Sequence, residues 1–404
     1  MGKSKEYLLI LCVDLYYMQK KNILVICSWL DIPKGVGSFF VEQTELVKNN
    51  FDVHLVYFKP YRFGFGKRKK INFSIKTSCF ITENNIPVYE VNFPEFYFFK
   101  TLYFQKVIEK KAQKSLIKKI KNPIDLCHAQ SLFDAGFWCY GFYKNFNIPY
   151  IFTEHNQLNL KGFPRKKDKL LQKVIASASE KLVVSDDLIR QFASNEIFAD
   201  FNKLGNTFNE TYFKYVATEK TTFTITTIGA YTPIKDTSIL LNALKIIDKS
   251  IDKKIIFNWI GFNCWGTDND TIVNKTCSDL HFKNIEFHLI KSASKQEIAN
   301  FLQQSNVLVS TSICETFGLS VLEALACGVP VVCTNSGGVL EMITQENGVI
   351  CPIKNSEVIA QNILKLYNKE ILFDAEKISE NIKLKFGSTT FTKKLSAIYN
   401  QNAR

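Results

Sequence analysis

The chain has no uncharged apolar run of 18 residues, no Cys-x-x-Cys pair, only five Arg among 51 basic residues, and neither a low-complexity linker nor a short internal repeat. The first absence excludes a membrane-spanning helix, which needs about 20 such residues. The second makes a structural zinc site a poor fit. The eleven Cys are an odd number, and several stand inside apolar runs, Cys27 in ILVICSW and Cys333 in VPVVCT. They read as buried free thiols in a reducing compartment rather than a disulfide framework. A Lys-dominated charge without a recognition motif argues against a nucleic-acid partner.

What is present is a globular composition. The 404 residues are 46% apolar, with 34 Phe and 16 Tyr, enough to fill two packed interiors at roughly 100 to 200 residues per domain. The net charge of +13 is uneven, because residues 1–200 hold 30 Lys and Arg against 19 Asp and Glu, and residues 201–404 hold 21 against 19. Two readings stand for the positive first half: an acidic partner such as an anionic membrane, or the codon composition of an A/T-rich genome. The start, MGKSKEYLLILCVDLYYMQKKNILVI, slightly resembles a signal peptide, but Asp14 interrupts it. Met18 followed directly by the first strand makes residues 1–17 an expected extension outside the fold.

Short β-branched runs alternate with helical patterns along the chain, the rhythm of parallel sheets covered by helices. Strands are expected in the first half at Asn22–Ser28, Asp52–Phe58, Pro87–Val91, Ile124–Ala129, Pro149–Thr153, Lys181–Val184 and Asn202–Gly205. In the second half they are expected at Phe223–Ile228, Lys254–Ile260, Ile285–Leu289, Val307–Ser310, Pro330–Cys333 and Gly348–Cys351. Helices are expected between the latter at Thr237–Ile247, Lys295–Gln304, Phe317–Cys327 and Ser356–Tyr367. The domain reading is 18–210, then 211–371, then a helical segment 372–404 that packs back. Ligands of open α/β sheets bind outside the carboxyl ends of the strands.

Two segments at such ends attract attention. In LDIPKGVGSFF, Gly35 and Gly37 make a Gly-x-Gly turn before an amphipathic helix, where bare backbone and helix N–H groups suit a phosphate or sugar. A dinucleotide fingerprint is incomplete there, since Phe40 replaces the third glycine and the second strand ends in Tyr57, Phe58 and Lys59. An ordinary tight turn is the alternative. The second segment, VLVSTSICETFGLSVLEALACGVPVVCTNSGGVLEMI, places Glu315 in a turn after a strand and Glu323 on the helix that follows. Both carboxylates would share one face if the helix extended back to Glu315. The N–H groups of Thr316, Phe317, Gly318 and Leu319 at the helix start suit a phosphate. Glu323 sits among Leu322, Ala324 and Leu325, so its charge needs a partner such as a pair of ligand hydroxyls. The alternative is a pair of dipole-neutralising or solvated carboxylates.

This last block resembles the signature of retaining glycosyltransferase family 4, of the GT-B fold, in which a Glu, seven intervening residues and a second Glu lie in such a strand, turn and helix. PKGVG, DLCHAQS, YIFTEHN, LVVSDDL, NTFNETYF and IGAYTPIKDTSILLNAL resemble, in order, further segments of that family. The resemblance implies an α/β architecture of two facing Rossmann-like doubly wound domains with an interdomain cleft, the N-terminal one holding the acceptor and the C-terminal one a nucleotide-diphosphate sugar. It implies Glu315 at the donor sugar, Glu323 at the ribose, the amides of Thr316–Leu319 and the ammonium of Lys235 at the diphosphate, Gly261 near the base, and Gly35 and Gly37 close to the sugar–phosphate. His128, in DLCHAQS, and His155, in YIFTEHN, are candidate catalytic residues, with a satisfied structural histidine as the even alternative for His128.

Two departures stand out: Ala230 occupies the place of the family's usual Arg, and Gln130 follows His128 where a second His is common. No cofactor and no metal are expected, because Lys and helix dipoles neutralise the diphosphate. Asp268-Asn269-Asp270 spells the Asp-x-Asp of metal-dependent transferases but is read as solvated loop. The basic residues cluster at Lys67–Lys70, at Lys106–Lys121 and at 165–169. The middle cluster reads either as an amphipathic helix lying on anionic lipid, helped by the aromatic segment 93–104, or as a solvated helix packed on the sheet. The expected activity is transfer from a nucleotide sugar to a saccharide or lipid-linked acceptor in bacterial surface polysaccharide synthesis. The expected setting is the cytoplasm, with an anionic membrane surface as partner at the inner face and no nucleic acid. The rivals are a GT-B sugar-nucleotide epimerase or phosphorylase, and a non-catalytic basic protein binding membrane or nucleic acid.

Overall fold

The run NILVIC becomes β1 (Asn22–Cys27), buried along its whole length. It shows no alternation because both faces of a central parallel strand are covered. The computed structural model to which it belongs describes residues 20–32, 35–62, 74–95, 102–158, 160, 165–263 and 269–404. After β1 come α1 (Ser38–Val47), β2 (Asp52–Arg62), β3 (Lys76–Ile81), β4 (Pro87–Glu95), α2 (Leu102–Ile117), β5 (Leu126–Gln130), α3 (Phe137–Phe146), β6 (Tyr150–Glu154), α4 (Arg165–Ser177), β7 (Glu180–Val183), α5 (Asp186–Ser194) and β8 (Asn202–Lys203). The sheet order is β3-β4-β2-β1-β5-β6-β7-β8, with β1 parallel to both β2 and β5. Of the described strands in this sheet, only β3 was not expected from the sequence. It pairs antiparallel with β4 at the sheet edge, and its residues are almost all exposed, so no buried face imprints a periodicity on it.

The second sheet interleaves β9 (Thr224–Ile228), α6 (Thr237–Ser250), β10 (Ile255–Ile260), α7 (Asp270–Ser278), β11 (Ile285–Ile290), α8 (Lys295–Gln304), β12 (Val307–Ser310), α9 (Leu319–Ala326), β13 (Val331–Thr334), β14 (Gly348–Cys351) and α10 (Ser356–Tyr367). Its order is β11-β10-β9-β12-β13-β14, and the paired strands run parallel. Ile225, Phe257, Trp259, Val307 and Val309 from the strands meet Leu240, Leu244, Ile359 and Ile363 from α6 and α10 in one core. Each large side chain removed from water there contributes roughly 1.5–3 kcal/mol before entropy is counted. Local chemistry fixes the element ends. Ser294 and Glu297 form a reciprocal capping box at the start of α8, and Ser185 accepts from the Leu188 N–H at the start of α5. The tail is helical, as expected, in α11 (Ala375–Phe386) and α12 (Ser388–Asn402).

By compactness the chain divides into two units, one of residues 1–153, 168–181 and 396–404, the other of 154–167 and 182–395. Among the described residues no helix is long and apolar enough to cross a membrane. Residues 1–17, the 67–70 basic cluster, residues 96–101 of the aromatic segment, Pro33, Lys34 and Asp268 lie outside the described residues, as do the side chains of 165–167.

Helix α2 corrects the lipid-lying reading of the middle basic cluster. Ile108, Ala112, Leu116 and Ile120 are buried, and the helix packs on β3 and β4. Its apolar stripe is therefore used inside the fold, which leaves Lys110, Lys111, Lys114, Lys118 and Lys119 as an exposed, purely ionic face.

Candidate functional site

The site-forming segment of the second unit starts where β12 ends. Thr311 and Ser312 continue the strand into the interior, nearly inaccessible to solvent. Glu315 then makes an isolated parallel bridge with Gly337. Its N–H donates to the Ser336 carbonyl at 2.6 Å, and its carbonyl accepts from the Gly338 N–H at 2.8 Å. Gly338 is required by this close approach, since a Cβ there would lie 2.1 Å from the Thr316 carbonyl oxygen. The helix expected from Phe317 begins only at Leu319, behind Gly318 in a left-handed conformation. Glu315 and Glu323 therefore do not share one helix. Glu315 is fixed by the Gly337 bridge, and Glu323 sits half-buried on α9.

The Glu315 carboxylate is held by one oxygen. Lys235 Nζ lies 2.5 Å from Oε1, and the Ser312 hydroxyl donates to the same oxygen at 2.7 Å. Lys235 reaches it from the 3-10 turn Pro233–Lys235, its stem lying over Gly229, where an added Cβ would touch the Lys235 Cε at 3.4 Å. The ammonium is 30% and the carboxylate 15% exposed, a setting in which a charge pair outweighs a solvated surface pair. Beside it, among the described residues, the amides of Thr316, Phe317, Gly318 and Leu319 have no hydrogen-bond acceptor. Unfilled N–H groups next to an ammonium attract a phosphate. Lys235, Glu315 and this four-amide loop are thus brought together in one unit.

Other expected residues fall as follows. Gly261 follows β10 with a left-handed backbone and open space at its Cβ position, in the same unit. Ala230 lies between Gly229, whose carbonyl accepts from the Trp259 indole at 3.0 Å, and Tyr231, whose N–H donates to the Phe262 carbonyl at 2.7 Å. Ala230 brings no cation of its own to the position where the resemblance implies an Arg. Gly35 and Gly37 belong to the first unit, and both have positive φ, 70° and 71°. A Cβ on Gly37 would lie 2.8 Å from the Trp29 carbonyl oxygen, so the turn into α1 needs glycine there.

His128 as a catalytic residue is corrected by its surroundings. Its ring is wholly buried in the first unit. Nδ1 bonds the Tyr399 hydroxyl and Nε2 the Thr153 hydroxyl, each at 2.8 Å. With both nitrogens engaged and burial pushing its pKa down to about 3, the imidazole stays neutral and has no nitrogen to offer a substrate. His155 lies 8% exposed just after β6, in a turn where its own N–H and that of Asn156 donate to the Glu154 carboxylate at 2.8 and 2.7 Å.

The Asp-x-Asp loop is corrected as well. Asn269 is buried, and its amide donates to the Phe262 carbonyl at 3.1 Å. Asp270 opens α7 and pairs with Lys291. Among the described residues no cluster of three His, Cys, Asp or Glu is placed to hold a metal ion.

The sequence reading missed Thr311 and Ser312, the hydroxyls behind the Lys235–Glu315 pair, although a Thr-Ser dyad leaving a buried strand was visible. It also missed Cys314, whose thiol meets the Gln157 side chain. Burial first, then the negative charges of Asp187 and Glu315, push its pKa up, so it stays a thiol.

Parts of the chain resemble known proteins in sequence and in fold. Residues 208–385 match the family model for glycosyl transferases group 1. An uncharacterized glycosyltransferase of Methanocaldococcus jannaschii is 28% identical over 260 residues, 62% of this chain and 67% of that protein. The poly(ribitol-phosphate) alpha-N-acetylglucosaminyltransferase of Staphylococcus aureus is 24% identical over 298 residues, 70% of this chain and 57% of that protein. Among solved structures, Anabaena HepE in complex with UDP and glucose superposes with a TM-score of 0.71 at 17% identity, over 94% of this chain and all of that one. Residues 208–385 thus carry a glycosyl transferases group 1 domain, in an α/β chain whose two Rossmann-like sheets match glycosyltransferase structures of the GT-B fold.

Proposed function

We propose that the chain transfers a sugar from a nucleotide-diphosphate sugar to a saccharide acceptor, as a retaining enzyme of glycosyltransferase family 4. The observation that carries this reading is the Lys235–Glu315 pair at 2.5 Å beside the amides of Thr316–Leu319, which have no acceptor among the described residues. An ammonium and four N–H groups match a diphosphate, and a carboxylate beside them matches sugar hydroxyls and the positive charge that grows at the anomeric carbon. Glu323, on the helix behind the loop, is assigned to the ribose hydroxyls and Gly261 to the base. The departing diphosphate takes the acceptor proton on the same face, which is how retention arises without a second carboxylate nucleophile. The charge provided by Lys235 and the α9 amides makes a metal unnecessary in this scheme.

Residues 211–371 are the donor domain in this scheme and 18–210 the acceptor domain. The acceptor we propose is a lipid-linked saccharide of bacterial surface polysaccharide, approached in the cytoplasm at the inner face of the membrane. What supports that refinement is the basic first half and the exposed lysines of α2, each worth about 1 kcal/mol near an anionic surface.

The test is thermal stabilisation with a panel of UDP-, GDP- and ADP-sugars. A ligand at about 100 times its Kd adds about 2.7 kcal/mol, a shift of a few degrees for a chain of this size. The shift is expected with one nucleotide and to shrink in Glu323→Gln. No shift with any of them removes the transferase reading.

A further inference from the structure

Lys235 has two tasks that compete. Its ammonium is 2.5 Å from Glu315 Oε1, yet it is also the side-chain cation assigned to the diphosphate. When it turns to a phosphate, the carboxylate loses its ionic partner, and something else must keep Glu315 aimed.

The Ser312 hydroxyl is already on that oxygen, at 2.7 Å, and is shielded from water, with Ser312 only 1% exposed. Its own main chain is tied down, because the Thr334 hydroxyl donates to the Ser312 carbonyl at 2.5 Å. Its neighbour Thr311 does the same for the lysine. The Thr311 hydroxyl lies 2.9 Å from the Lys235 carbonyl and 3.2 Å from that of Asp236, and the Ile313 N–H donates to the Ile234 carbonyl at 2.8 Å. Asp236 has φ +42°, a left-handed backbone that side-chain-bearing residues rarely adopt and that persists only where neighbours hold it. Both protein donors converge on Oε1, and among the described residues none donates to Oε2. One oxygen is anchored, and the other is left for a ligand hydroxyl.

We propose that Ser312 is the positioning residue for Glu315: its hydroxyl holds Oε1 so that Oε2 meets the donor sugar while Lys235 serves the diphosphate, with Thr311 fixing the lysine's turn. This rests on the donor-site reading above. Sites must be held to within about 0.5 Å to act, and a hydrogen bond to a charged group is worth tenfold or more in an equilibrium.

The experiment is calorimetric titration of the full chain with UDP, GDP and ADP and with UDP-glucose, UDP-N-acetylglucosamine, GDP-mannose and ADP-glucose. The quantity read is the gain in affinity of each nucleotide sugar over its own nucleoside diphosphate. In Ser312→Ala that gain is expected to fall about tenfold, while the nucleoside diphosphate binds as before and the melting temperature is kept. Ser312→Thr, which retains the hydroxyl, restores it. A gain unchanged in Ser312→Ala overturns the positioning role and leaves the donor-site reading standing. Loss in both variants marks a packing defect and also overturns it. A wild-type chain that prefers no nucleotide sugar removes the donor-site reading itself.

Discussion

Corresponding strands of the two sheets lead to polar residues that are used in opposite ways. Strand β5 lies next to β1 as β12 lies next to β9, so His128 on β5 and Glu315 just beyond β12 belong to corresponding strands. In the first unit the imidazole is sealed in, with Tyr399 on one nitrogen and Thr153 on the other. In the second unit the carboxylate is anchored, among the described residues, through Oε1 alone, by Lys235 and Ser312. A buried polar group whose partners are all internal specifies packing. One whose partners are internal on one side only can turn its other side to a ligand.

Glu315→Gln should show the difference most sharply. It keeps the shape but removes the charge that Lys235 pairs with, and losing one such electrostatic group typically costs about 10²- to 10³-fold in turnover. Transfer from whichever nucleotide sugar binds is expected to fall by that much, with melting nearly unchanged. Activity within tenfold of wild type would mean that the pair in the second unit is as structural as the histidine in the first.

The reverse pattern is expected for Tyr399→Phe. Removing the hydroxyl strands His128 Nδ1 inside the core, and a buried unsatisfied group costs about 1–3 kcal/mol. The urea midpoint should drop accordingly while donor affinity is retained. Loss of donor affinity without loss of stability would instead return His128 to the chemistry.

How far these roles were legible in the sequence follows from where their partners sit. The strand–helix alternation was readable because parallel strands are apolar on both faces, as NILVIC is, and β3 was not because its exposed edge residues carry no period. The block from Glu315 to Gly338 was readable because its glycines, carboxylates and helix start are local. The fate of His128 was hidden, because one of its partners is 271 residues away on α12, whose pattern says helix but not which strand it meets. Ser312 was hidden for another reason. Ser and Thr are common where strands end, and only the folded chain puts this hydroxyl on the same oxygen as Lys235.

The last effect concerns pH. Burial holds the His128 pKa at about 3, against 6.5 for a free imidazole, so between those values the unfolded chain binds more protons than the folded one. Stability is therefore complete above pH 6.5 and is lost as pH falls toward 3, by at most about 1.4 kcal/mol per unit from this residue. His54 is half-buried, and burial lowers its pKa too, partly offset by Asp52, so it adds to the slope in the same direction. Replacing His128 by Gln, which keeps hydrogen-bonding groups but does not titrate, should lower stability at pH 7.5 yet flatten its decline between pH 6.5 and 5. Urea midpoints measured across that range for the two proteins decide it: parallel curves would mean that His128 is not held neutral by the core, and the contrast with Glu315 would lose its physical basis.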